Sequence, residues 1–163
     1  VSRVHLYEEN RFIENLIKIV DKYNIPHTLI ELELTENIFI DSAETALSTM
    51  NKLRKVGFKV SIDDFGSGYS SLNLLKDMNS DVLKLDRAFF GKDKLSKEEQ
   101  IIVSSIVDMA KKLDIKVLSE GVETQEQSDF LKKIKCDMAQ GFLFSKPVPR
   151  EELEKMLNSS AVL

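Results

Sequence analysis

Apolar positions recur along this chain in two alternating rhythms. From Glu8 to Tyr23, Phe12, Ile13, Leu16, Ile17, Ile19 and Val20 fall at helical spacing, and Asn24, Pro26 and His27 end the helix. Leu29 to Leu34 reads as a strand with Glu31 and Glu33 on one side. Ser42 to Val56 reads as a helix capped by Ser42. Its apolar face is Ala46, Leu47, Met50, Leu53 and Val56, and Gly57 follows as the C-terminal stop. Phe58 to Ile62 predicts a short strand, with a helix opening near Ser70 and a short helical turn over Leu72 to Asp77. Val82 to Leu85 is a short strand, and Lys92 to Glu99 a charged loop. Glu98 to Leu113 is a helix with Ile101, Ile102, Ser105, Ile106, Met109 and Leu113 turned inward. Strand Ile115 to Ser119, helix Gln125 to Ile134, strand Asp137 to Ala139 and helix Glu151 to Leu157 complete the series. Val1 to Leu6 alternates in the manner of a further strand, and residues 158–163 read as a frayed tail.

Strand and helix alternate throughout, which predicts an α/β fold with a parallel sheet and crossover helices. No low-complexity stretch divides the 163 residues, enough for one domain with a sizeable core. The net charge of -4 argues against a general DNA or RNA binder, which would carry a basic face. No apolar run approaches a membrane span, so this segment is expected to make no membrane contact. The single cysteine, Cys136, permits no intrachain disulfide and reads as a small apolar residue in a reducing, cytoplasmic setting. The chain opens on Val1 rather than Met and carries no signal peptide, the pattern expected of a piece of something longer.

Candidate chemistry changes this picture at one edge. Glu33, Asp63, Asp64, Lys84, Glu120 and Gln140 all fall at or just beyond the C-terminal ends of successive predicted strands. Active sites of parallel α/β folds lie at that edge. The centre of the set is Phe58 to Leu72, FKVSIDDFGSGYSSL, in which two adjacent carboxylates precede Gly66 and Gly68. Neighbouring strand side chains point to opposite faces, so both aspartates reach one cation only if the chain turns there. Such hard oxygen donors suit Mg²⁺ or Mn²⁺. Two readings stay open on these residues alone: a cation site, or a Ser70 helix cap preceded by two solvated aspartates. Lys84 likewise reads either as a snorkelling lysine or as a site residue.

The motifs ELTE (33–36), DDFGSGYSSL (63–72), KLD (84–86), EGVET (120–124) and QGFLFSKP (140–147) resemble, in order and spacing, those of the EAL-domain family of bacterial cyclic di-GMP phosphodiesterases. Ser67 stands where that family usually has Thr. The resemblance implies a TIM-like (β/α) barrel of the EAL type, here incomplete, with its first strands and helices missing. It sets residues 1–157 as the C-terminal two-thirds of the domain. Glu33, Asp63 and Asp64 would hold metal, Asp64 serving a second ion. Lys84, Glu120 and Glu36 would be catalytic: Lys84 at the attacking water, Glu120 in the metal and water network, Glu36 holding the loop Phe65 to Tyr69. Asp64, Gln140, Phe65, Gly66, Ser67 and Gly68 would line the substrate.

The activity implied is metal-assisted hydrolysis of cyclic di-GMP to linear pGpG in the intact parent, with Mg²⁺ or Mn²⁺. The family's EAL motif and a metal-binding Asn would fall before Val1. The fragment alone is therefore expected to be nearly inactive. The alternative is a degenerate EAL module that binds the nucleotide or a protein partner without catalysis. A GGDEF or sensor domain upstream is compatible with the family. An opened barrel is also expected to pair into a homodimer through bare strand edges at Val1 to Val4 and Asp137 to Ala139, and through apolar faces at Phe12, Leu16, Val20, Leu153 and Leu157.

Overall fold

A computed structural model of the chain describes residues 1, 8–66, 75–76, 79–90 and 95–158. Five strands form one sheet in the order β1 (Glu31–Thr35), β2 (Lys59–Phe65), β3 (Val82–Leu85), β4 (Lys116–Ser119) and β5 (Met138–Ala139). Every neighbouring pair is parallel. All five C-terminal ends therefore lie along one edge, and the crossovers must carry helices. Among the described residues, α2 (Asn37–Val56), α3 (Lys97–Lys112) and α4 (Gln125–Lys133) make the β1–β2, β3–β4 and β4–β5 crossovers, while α1 (Glu9–Lys22) precedes β1 and α5 (Arg150–Asn158) follows β5. Among the described residues, no helix is long and apolar enough to cross a membrane.

The sheet has two unlike faces. Leu34, Val60, Ile62, Leu83, Leu85 and Val117 are fully buried, and they pack with Ile13, Met50, Leu53, Val103 and Val107 from the helices. On the other face Glu31, Glu33, Lys59, Lys116 and Met138 are exposed, while Ser61, Val82 and Lys84 near its middle are buried. Fully burying each large side chain stabilises by roughly 1.5–3 kcal/mol, which sets which face the helices cover.

The structure departs from the sequence expectations in several places. The second helix begins at Asn37, not Ser42. Ser42 sits in a non-helical conformation (φ -153, ψ 49) that kinks the helix there, so the stretch expected to open at Ser42 is the part that follows the kink. On α3 the buried positions are Val103, Ile106, Val107 and Ala110, while Ile101 and Ile102 are 64% and 48% exposed and Leu113 is 42% exposed. The β-branched run Ile101-Ile102-Val103 offers two apolar stripes, and docking on the sheet selects the one through the small Ala110. That helix starts earlier than expected because Ser96 and Glu99 form a reciprocal cap, Ser96 Oγ accepting from Glu99 N at 3.1 Å and Glu99 Oε2 from Ser96 N at 2.7 Å.

Val20 is buried, and Phe12 and Leu16 pack against the core, so that face of α1 is not the bare patch expected of it. Leu153 and Leu157 are exposed, at 47% and 72%. β5 pairs only with β4 among the described residues. The strand expected over Val1 to Leu6, the turn over Leu72 to Asp77, the helix opening near Ser70 and the tail beyond Asn158 lie largely or wholly outside the described residues.

Candidate active site

β2 runs farther than its apolar alternation suggests. It continues through Asp63 and Asp64 to Phe65, so the aspartates lie within the strand rather than beyond it. The pairing register with β3 shifts between Ile62 and Phe65, and Asp64 takes a left-handed conformation at φ 55. Asp is among the few residues that tolerate this. That local turn brings both carboxylates to one side. Asp63, Asp64 and Glu120 each offer an oxygen, and the three oxygens lie within 4.8 Å of one another.

Lys84 fills the middle of the site. Its Nζ donates to Glu33 Oε1 at 2.6 Å and to Asp63 Oδ1 at 2.8 Å, and pairs with Glu120 Oε1 at 2.8 Å. Its side chain is only 10% exposed, against 47% for Glu33. The snorkelling alternative therefore fails: the head group is turned onto three carboxylates from three strands' ends, not into water. Burial alone would lower the Lys84 pKa, but the bonds to Asp63, Glu120 and Glu33 outweigh it and raise it above the ordinary lysine value. Asp64 is raised, first by burial and then by the neighbouring charges of Asp63, Asp86 and Glu120. An acidic group crowded in this way binds a cation with relief of repulsion, so these donors fit a divalent ion.

Glu36 sits behind the site, 2% exposed. Its Oε2 accepts from Gly66 N at 2.8 Å, tying the start of the glycine loop to the end of β1. Among the described residues its Oε1 has no hydrogen-bond partner. Phe65 is 3% exposed with its ring in the core, so any contact it makes with a ligand is through backbone. Gln140 is exposed at the end of β5. Its backbone is fixed by Gln140 N donating to Ser119 O at 2.8 Å and Val122 N donating to Gln140 O at 3.0 Å. Ser67 and Gly68 lie outside the described residues. Of the expected set, Asp63, Asp64 and Glu120 form the compact trio, Glu33 is joined to it through Lys84, and Glu36 supports it from below. The sequence reading missed Asp86, which crowds Asp64, although it lies inside the KLD motif.

The EAL domain profile matches residues 2–147. The chain belongs to the EAL domain family. It is 37% identical over 147 residues to the cyclic di-GMP phosphodiesterase NbdA of Pseudomonas aeruginosa, covering 90% of this chain and 19% of that protein. It is 38% identical over 132 residues to MucR of the same organism, a bifunctional diguanylate cyclase/cyclic di-GMP phosphodiesterase, again covering 19% of it. The chain thus spans about a fifth of the length of these relatives. The EAL domain of Mycobacterium smegmatis DcpA superposes with a TM-score of 0.85 at 36% identity, over 93% of this chain and 68% of that one. The manganese/cyclic di-GMP complex of Klebsiella pneumoniae BlrP1 superposes at 0.80 with 34% identity, over 87% of this chain and 36% of that one. The EAL neighbours are TIM barrels, and this five-stranded parallel sheet corresponds to part of one.

Proposed function

We propose that this chain supplies the C-terminal catalytic half-site of a cyclic di-GMP phosphodiesterase, a metal-dependent enzyme that opens the cyclic dinucleotide to linear pGpG. The observation that supports this most is the Lys84 ammonium among Glu33, Asp63 and Glu120, with Asp64 beside them. Asp63, Asp64 and Glu120, with Glu33 on the same edge, are the donors for Mg²⁺ or Mn²⁺. When bound, such ions supply Lewis-acid activation of the phosphodiester and of the water that attacks it.

The chain's own residues supply the rest. Lys84 orders the carboxylates and sets its ammonium where the attacking water would stand. Glu36 holds Gly66, and with it the loop on which the nucleotide rests. Gln140 lies beside the site at the next strand end. The remaining donors are proposed to lie in the part of the EAL domain with which this chain does not align, so the 163-residue chain alone turns over poorly. A cytoplasmic setting, a partner domain in the same polypeptide and pairing with a second copy through the exposed α5 face belong to the same proposal.

Incubating the protein that contains this chain with cyclic di-GMP and Mn²⁺, then resolving products by chromatography, tests it. Linear pGpG is expected, lost in Asp63→Ala and Glu33→Ala, with Lys84→Ala slowing turnover more than it weakens nucleotide binding. Nucleotide binding without any product from the intact protein would favour the degenerate, non-catalytic module instead.

A further inference from the structure

Between the two loops that carry the acidic trio stands a 3-10 turn, Arg87–Phe89, which follows β3 and so continues the strand that supplies Lys84. It is tightly braced. Asp86 Oδ1 accepts from Ala88 N at 2.6 Å, Phe89 N donates to Asp86 O at 3.2 Å, and Phe90 N to Arg87 O at 2.9 Å. On one side the Phe89 ring rests on Gly66, so closely that a Cβ there would overlap Cζ and Cε2. On the other, Arg87 Cβ rests on Gly121, where a Cβ would overlap it. Gly66 lies two residues after Asp64, and Gly121 directly follows Glu120. Both glycines hold positive φ, +91 and +65, a conformation other residues rarely adopt. The two loops therefore close onto the turn only because neither carries a side chain at the point of contact. Phe89 is partly buried against the core, which fixes its ring from behind.

We propose that Phe89 is a positioning residue for the acidic trio: its ring sets Gly66, and through it Asp63 and Asp64, at a fixed distance from Glu120, which Arg87 abuts through Gly121. The functional consequence rests on the cation reading given above; the geometry does not. Groups that orient metal ligands typically change affinity 10–100-fold when removed.

The test uses Phe89→Ala and Phe89→Leu in the protein that contains this chain, with two readouts. The first is hydrogen exchange at the Gly66 amide, which donates to Glu36 Oε2, measured against the amide of Val103 in the buried face of α3. The second is the dissociation constant for Mn²⁺ alone. Phe89→Ala is expected to speed Gly66 exchange about tenfold while Val103 stays protected and to weaken Mn²⁺ roughly 10–100-fold, and Phe89→Leu to show a smaller rise at Gly66 in the same direction. Unchanged Gly66 exchange overturns the proposal. So does a rise at Gly66 matched at Val103, which is general loosening. If Phe89→Ala does not fold, Phe89→Leu carries the test, with a selective rise at Gly66 supporting it and none overturning it. Faster Gly66 exchange with no Mn²⁺ binding in any variant, wild type included, upholds the positioning role and instead refutes the cation reading.

Discussion

Lys84→Met removes the ammonium while keeping the length of the side chain, and the cost follows from its three partners. Glu33 is 47% exposed and rehydrates when the partner leaves, so its bond contributes under about 1 kcal/mol. Asp63 and Glu120 are 20% and 23% exposed and would be left facing each other across a gap with Asp64 nearby. Breaking a buried pair from one side costs roughly 3–5 kcal/mol, and partial hydration here brings the expected loss to about 3 kcal/mol. For a chain of this size about 1 kcal/mol shifts the melting temperature by roughly 2–4 °C, so Lys84→Met is expected to melt about 6–12 °C below wild type. Thermal unfolding followed by circular dichroism, without metal, measures it. The pH dependence has a definite sign. The folded Lys84 pKa is raised, so its contribution is fully present below the unfolded lysine value and lost only as pH rises through the folded one. The gap between the proteins is therefore flat across neutral pH. A melting difference below about 1 °C at pH 7 would show that Lys84 does not hold the carboxylates together.

Asp64 is raised in the folded state, so its ionised form opposes folding above the unfolded value. Asp64→Asn, which keeps the tolerated left-handed backbone, is expected to stabilise the metal-free protein at pH 7 and to lose that advantage in acid; urea titrations at pH 7 and 3.5 check both. His27 bridges Val56 O through Nδ1 (3.0 Å) and Asp21 Oδ1 through Nε2 (2.8 Å), which raises its pKa. Its charge supports the fold below the unfolded value and the support fades as pH rises through the folded one. His27→Gln is expected to flatten the stability profile between about pH 6 and 8, and an unaltered slope would refute this. Ser96→Ala removes the acceptor for Glu99 N and is expected to cost about 1 kcal/mol in urea unfolding.

The architecture was legible because each strand carries its own signal. Val82 to Leu85 appears with the expected boundaries, and the polar residues expected at strand ends include those that gather around Lys84. What the sequence hid were features set by tertiary context. The inward face of α3 depends on which of two apolar stripes meets the sheet, and Ala110, not Leu113, decides it. The extension of β2 through two aspartates depends on a register shift against β3 and on positive φ at Asp64, neither of which apolar alternation encodes. Charge at Lys84 could be read from its position among apolar neighbours, but its three partners come from residues 33, 63 and 120, separations no local pattern reports. Phe89 escaped notice because an aromatic after a strand reads as core until its contact with Gly66 is seen.

The central claim is that the carboxylates at this strand edge form a divalent-cation site. Anomalous diffraction from crystals of the protein grown with Mn²⁺ tests it most directly. The account predicts a peak about 2.1 Å from carboxylate oxygens of Asp63 and Asp64, with Glu120 in the same coordination group and the peak absent in Asp63→Ala. A fully ordered Asp63, Asp64 and Glu120 with no peak among them at saturating Mn²⁺, or a peak unaffected by Asp63→Ala, would contradict it.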